Sequence, residues 1–241
     1  MSDTKKWGWG GAAGFLFRLA LGIAFISPLI VGLCFSFQDE QTLGMYPLKL
    51  LVSNPTLENY GKVFTDIPIL LYLANTGIVC VTAIFFQIIL CSLAAYAFVF
   101  FEFPMKKILF SLVLTTTMIP GEVVVITNYT TIQNMDLINT YAGLVLPSLV
   151  SGASIFLMRQ YFLTIPKDYR EAATLDGCGN MGFFFHIVMP LSVPTLSSLV
   201  IYLFVQIYNQ FFWPLLVTNT DRMRTIQIGI SMLVTADVVD Y

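Results

Sequence analysis

The residues most able to do chemistry in this chain are the polar ones that interrupt long apolar segments. Glu122 follows Pro120-Gly121 in a run that is otherwise largely apolar. A carboxylate inside a bilayer costs about 2.5–3.5 kcal/mol on insertion scales and usually faces a cavity or a partner. Nearby Pro and Gly free backbone carbonyls, which is tolerable only where protein or water satisfies them. Two readings stand side by side: a gating or path-lining element, or a carboxylate paired with another span or kept wet near a surface. Gln206, Asn209, Gln210 and Trp213 recur at i, i+3, i+4 and i+7, a spacing that puts three amides and an indole on one helical face. Such a stripe suits a hydroxyl-rich solute, through amide hydrogen bonds and aromatic stacking, and equally suits a helix–helix contact. Asn75 and Gln87 in an earlier apolar run, and Asn128 ending a third, are polar in the same sense.

Other chemistries lack their residues. The chain has no G-x-x-x-x-G-K-[ST] phosphate loop, Gly61-Lys62 being an isolated pair. Its one histidine, His186, has no clustered His or Cys for a metal and reads as a surface residue. Four cysteines give no disulfide framework, and packing explains them. No basic run supports a nucleic-acid partner. The aromatics, rich in Phe, carry no cofactor signal.

The elements that position these residues are membrane helices. Charged residues are 11% of the chain and hydrophobic ones 57%, with a mean hydropathy of +0.79; soluble domains carry about 25% charge. A hydrocarbon core of about 30 Å needs about 20 apolar residues per helix. Spans are expected at about residues 12–37, 69–101, 108–127, 141–162 and 191–218, after a tail over residues 1–11. The second is too long to stand upright and should tilt or project into water. The first is too long for a signal peptide and stays attached. With the N-terminus in the cytoplasm, eight Lys and Arg fall inside and four outside, which favours that orientation.

Between the last two spans lies a polar interlude, residues 163–190, that reads as two short helices. Pro166 suits a first helical turn and Gly177 a left-handed exit. Tyr169, Ala172, Ala173 and Asp176 share a face that two alanines flatten, so another surface can come close. Met181, Phe184, Phe185 and Val188 form a second face, stopped by Pro190.

Glu171, Ala172, Ala173, Gly177, Ile187 and Pro190 match the spacing of the EAA loop of ABC importer permeases, with Met189 where Leu is usual. Asp176, Met118-Ile-Pro-Gly-Glu122, Leu137-Ile-Asn-Thr-Tyr-Ala-Gly143, Met158-Arg-Gln160 and Trp213-Pro-Leu-Leu216 resemble the carbohydrate-importing branch, and the resemblance covers about residues 12 to 233. It implies an all-α polytopic transmembrane bundle of the type I importer kind, in a bacterial or archaeal inner membrane. Its members have six spans, so a sixth, absent from this sequence, is expected. It also implies a homologous second permease, two ATP-binding subunits holding ATP and magnesium, and an extracytoplasmic solute-binding protein that docks on the outer loop before Pro68 and on the segment after Trp213. This chain would hold no cofactor and catalyse nothing. Tyr169, Glu171, Ala172, Ala173, Asp176, Gly177, Ile187 and Pro190 would couple it to the ATPase. Asn75, Glu122, Asn128, Gln206, Asn209, Gln210 and Trp213 would line a path for a sugar, an oligosaccharide or sn-glycerol 3-phosphate. The competing class is an ion-coupled carrier or channel, but only one marked helix break and no internal repeat support it.

Overall fold

A computed structural model of the chain describes residues 9–39, 42 and 55–239. The expected tail therefore lies mostly outside the described residues. Contacts divide the chain into two units, meeting between Ile67 and Pro68.

In the first unit, α1 (Trp9–Ser36) is a long apolar helix whose residues 13–36 are long and apolar enough to cross a membrane. A short helix, α2 (Glu58–Asp66), is pinned to its end. Asn59 Nδ2 donates to the Ser36 and Gln38 carbonyls at 3.2 and 2.7 Å, and the Ser36 and Tyr60 hydroxyls lie 2.8 Å apart. Leu57, Tyr60 and Phe64 remain exposed.

The second unit is built on α3 (Ile69–Phe100), a single helix of 32 residues, roughly 48 Å long. Packed on it are α6 (Tyr141–Val145), α7 (Gly152–Phe162), α10 (Val193–Tyr208) and α12 (Ile226–Val239). The buried face of α3 includes Val79, Cys80, Ala83, Cys91 and Ala95, small enough for close helix contact. Gln87 Nε2 donates to Ser154 Oγ at 3.0 Å, so this buried amide ties α3 to α7.

The break expected at Pro120-Gly121 is present, and the fourth and fifth spans are broken as well, where straight ones were expected. Residues 108–127 fall on two helices, α4 (Lys106–Thr116) and α5 (Gly121–Asn134), bent by 98°. Pro120 disfavours helical backbone at Ile119. The hydroxyls of Thr115, Thr116 and Thr117 bond back to carbonyls of their own helix, an added reason to end there. Residues 141–162 bend by 50° between α6, with its 3-10 extension Leu146–Ser148 around Pro147, and α7. The expected fifth span begins at a 75° bend after α9 (Asn180–Leu191) and is interrupted again between α10 and α11 (Phe212–Val217). Pro194 opens α10 and Pro214 lies in the first turn of α11, where a missing N–H costs least.

A tight crossing fixes the start of α6. A Cβ built on Gly143 would lie 2.2 Å from the Leu137 carbonyl oxygen, and Thr140 Oγ1 caps the same turn by accepting from Gly143 N at 3.1 Å. Backbone cannot step aside as a side chain can. Gly143→Ala is expected to lower the melting temperature of the purified protein by several degrees, as overpacking of about 1–3 kcal/mol implies. An unchanged melting curve would refute the close approach.

Candidate functional site

The interlude folds as a helical hairpin, α8 (Lys167–Leu175) followed by α9. Pro166 is the N-cap of α8, and Gly177 has φ +74°. Gly177 N donates to Thr174 O at 3.1 Å and Cys178 N to Ala173 O at 2.8 Å, the paired bonds of a Schellman close. No other atom lies within 4 Å of a Cβ built there, so backbone conformation alone selects glycine.

Exposure divides the motif. Tyr169, Glu171, Ala172 and Asp176 lie on the surface of α8, together with Leu175, which is 89% exposed. Ala173 instead turns inward, 4% exposed, into the chain's own core. The flat face expected from two alanines therefore has only Ala172 outside; Ala173 seats the helix. In α9 the inward residues are Phe183, Phe184 and Val188, with Met181 and Phe185 exposed, a different set from the face expected. Pro190 does not stop the helix either. Residues Phe184–Val188 form a π-helical turn and the helix continues through Leu191. A wide turn rearranges the carbonyls that proline's ring and missing N–H would otherwise disturb, and shifts the register of the buried face. Ile187 is half-buried and Pro190 exposed.

One side chain holds the hairpin together. Arg170 reaches across from α8 to Asn180 Oδ1, donates to Tyr96 Oη at 3.0 Å, and lies 4.9 Å over the Phe183 ring. Tyr96 in turn donates to the Asn180 carbonyl at 2.9 Å and packs against Phe100, Phe101, Phe183 and Phe184. Both helices are thus fastened to the last turns of α3, and a displacement of the hairpin must act on that helix. Sequence reading missed Arg170, Tyr96 and Asn180 in this role. The available signal was a cation near the start of one short helix and an amide opening the next, with a tyrosine near the end of a span.

The other end of α3 carries a second polar cluster, roughly 36 Å away at 1.5 Å per residue from Tyr96 to Tyr72. Asn75 is fully buried there; its amide donates to the Arg222 and Arg224 carbonyls, both at 2.9 Å, and accepts from Tyr141 Oη at 2.6 Å. Thr76 Oγ1 accepts from Ile226 N at 2.9 Å, and Tyr72 donates to Asp221 at 3.2 Å. Asn75 therefore latches the segment before α12 onto α3 and has no donor left for a solute, a correction to the path role expected of it. Asn139, with φ 60°, makes a related tie: its Oδ1 accepts from Asn219 N and from both the N–H and hydroxyl of Thr220.

Four of the remaining path candidates do meet. Glu122, Asn128, Gln210 and Trp213 line one cavity of about 340 Å³ between α5 and the start of α11, along with Phe211 and Phe212. Trp213 is largely buried, and its indole N–H donates to the Leu144 carbonyl at 3.3 Å, so it offers ring rather than donor. Gln206 and Asn209 are exposed and outside that lining; the Asn209 amide bonds Val205 O at 2.8 Å and accepts from Gln227 at 3.4 Å. The expected continuous stripe fails because the helix breaks between Tyr208 and Phe212, ahead of Pro214. Among the described residues, no ion pair engages Glu122, and no three His, Cys, Asp or Glu side chains are placed to hold a metal. The cavity offers a carboxylate, two amides and aromatic faces, a set that recognises hydroxyl groups.

The family described as "Binding-protein-dependent transport system inner membrane component" matches residues 87–237. The chain is 37% identical over 195 residues to the sn-glycerol-3-phosphate transport system permease protein UgpE of Rhizobium meliloti (strain 1021), covering 78% of this chain and 69% of that one. With the protein of the same name from Brucella abortus (strain 2308) it shares 35% over 224 residues, covering 90% and 79%. Its fold matches, at a TM-score of 0.84 and 18% identity, a chain in the crystal structure of a bacterial ABC transporter involved in the import of the acidic polysaccharide alginate, covering 96% of this chain and 82% of that chain. The matched residues contain the hairpin, its Arg170 clamp and the polar cavity, and this chain belongs to the family of inner-membrane components of binding-protein-dependent transport systems.

Proposed function

We propose that the chain forms half of the translocation path of an ATP-driven importer and takes its energy from a separate ATPase through the hairpin at residues 163–190. The observation that carries this reading is the hairpin itself: Glu171, Ala172 and Asp176 are exposed on α8, while Arg170 ties α8 and α9 to the end of α3. A subunit gripping that surface and closing on ATP would move α3 as a lever and bias inward- against outward-facing states. The partners are a homologous second permease, two ATP-binding subunits carrying ATP and magnesium, and a solute-binding protein on the far side. The hairpin and the N-terminus lie in the cytoplasm, an orientation supported by the lysine and arginine distribution.

The solute is a polyol: sn-glycerol 3-phosphate, as the names of the relatives suggest, or a sugar or oligosaccharide. The cavity supports contact with the hydroxyl-bearing part, since a carboxylate in its lining, Glu122, disfavours a phosphate. The charge of a phosphate ester would be met by the second permease. The test is ATPase activity of the assembled complex in lipid, with its binding protein, across sugars and glycerol phosphates. One ligand should stimulate; stimulation by none would sink the importer reading. Gln210→Leu should lower the maximal uptake rate about fivefold, as loss of one hydrogen bond implies, with assembly intact. Unchanged uptake would remove the cavity from the path.

A further inference from the structure

A second cavity, of about 460 Å³, opens at the hairpin end of α3, lined by Phe98, Glu102, Lys106, Lys107, Phe110 and Arg159 among others. Three cations face one carboxylate. Lys106 is partly engaged, donating to the Phe101 carbonyl at 2.8 Å and to Glu102 at 3.2 Å. Arg159 is different: its guanidinium stacks 4.1 Å over the Phe110 ring, its buried Nε has no hydrogen-bond partner, and no described carboxylate bonds it. A cation held against an aromatic face and left without an anion keeps its outer N–H fork available for a bidentate oxyanion.

The surroundings say which anion. Directly beside the cavity, α4 exposes Ile108, Leu109 and Leu112, so a cationic hollow adjoins an apolar outer flank. A phospholipid has that combination of phosphate and acyl chain, whereas a soluble anion uses only the hollow. We propose that this cavity binds the phosphate of an anionic phospholipid headgroup, with Arg159 and Lys107 as its ligands and the acyl chains along α4. Placing this end at the cytoplasmic membrane surface rests on the function proposed above; the charge and the cavity do not. The clamp at Tyr96 and the cavity wall at Phe98 share one turn of α3, so an occupied headgroup site would brace the helix that the hairpin moves.

The test is titration of the purified complex in detergent with phosphatidylglycerol and with phosphatidylcholine, read by native mass spectrometry, which does not depend on transport. Phosphatidylglycerol should bind more tightly, and Lys107→Gln and Arg159→Gln should each weaken it about fivefold, the effect of removing one basic group near a membrane surface. Glu102→Gln should tighten it. Lys107 and Glu102 are exposed, so their variants remain informative even if Arg159→Gln folds poorly. Failure of soluble inorganic phosphate to displace the lipid supports a headgroup, and displacement would overturn that assignment in favour of a free anion. Equal affinity for the two lipids, or indifference to all three substitutions, would overturn the site. So would protection of Lys107 from amine labelling by the second permease in delipidated complex, which would make the hollow a protein contact.

Discussion

Glu171→Lys is expected to abolish uptake and solute-stimulated ATP hydrolysis while leaving the chain inserted and the second permease bound. Glu171 sits on the outer face of α8, exposed and without an ion pair among the described residues, so reversing its charge disturbs nothing inside this subunit. On the function proposed above, the damage falls on the contact with the ATPase. If the ATPase meets this carboxylate with a basic residue, as the proposed docking implies, a lysine there costs about 2–5 kcal/mol, roughly 30-fold or more in docking. Gly177→Asp should be milder. Its side chain has open space, and the cost is the left-handed backbone at φ +74°, about 1–2 kcal/mol. Pull-down of the ATPase by the permease pair, with uptake in intact cells, separates the outcomes. Full uptake by Glu171→Lys would end the docking role of the hairpin. Lost uptake with a normal ATPase pull-down would move Glu171 from docking to transmission.

Sequence and structure agree most closely where backbone chemistry decides. Pro166 and Gly177 begin and end α8 because one lacks an N–H and the other tolerates positive φ, properties of single residues. The apolar stretches became helices for the same local reason. What could not be read was the direction of side chains after a break. Counting i, i+3, i+4, i+7 assumes one continuous helix, and that assumption failed between Tyr208 and Phe212 and across the π turn before Pro190. Gln206 and Asn209 consequently stand outside the cavity that Gln210 and Trp213 line, whereas Ala173, in the unbroken α8, turns inward because that side of the helix packs on the core. Period counting also cannot tell a buried amide facing a solute from one facing carbonyls. Gln87 and Asn75 look alike in sequence; one meets a serine hydroxyl and the other two backbone carbonyls and a phenol.

Asn75→Leu turns that last distinction into a large expected effect. Leucine keeps asparagine's branched outline but is bulkier, so it crowds this fully buried site, and the Tyr141 hydroxyl and the Arg222 and Arg224 carbonyls lose their partner together. Each buried polar group left unsatisfied costs about 1–3 kcal/mol, and three of them approach the whole margin of about 5–15 kcal/mol that keeps a domain folded. The variant should yield much less assembled complex and melt well below the parent, whereas Tyr141→Phe, which removes one bond, should cost about 1 kcal/mol. Complexes of Asn75→Leu that do assemble should still be stimulated by the same solute, because the amide never faces it. A path-lining amide gives the opposite pattern, with normal yield and melting but lost uptake. That result would mean the latch opens during transport and that Asn75 exchanges the two carbonyls for solute hydroxyls.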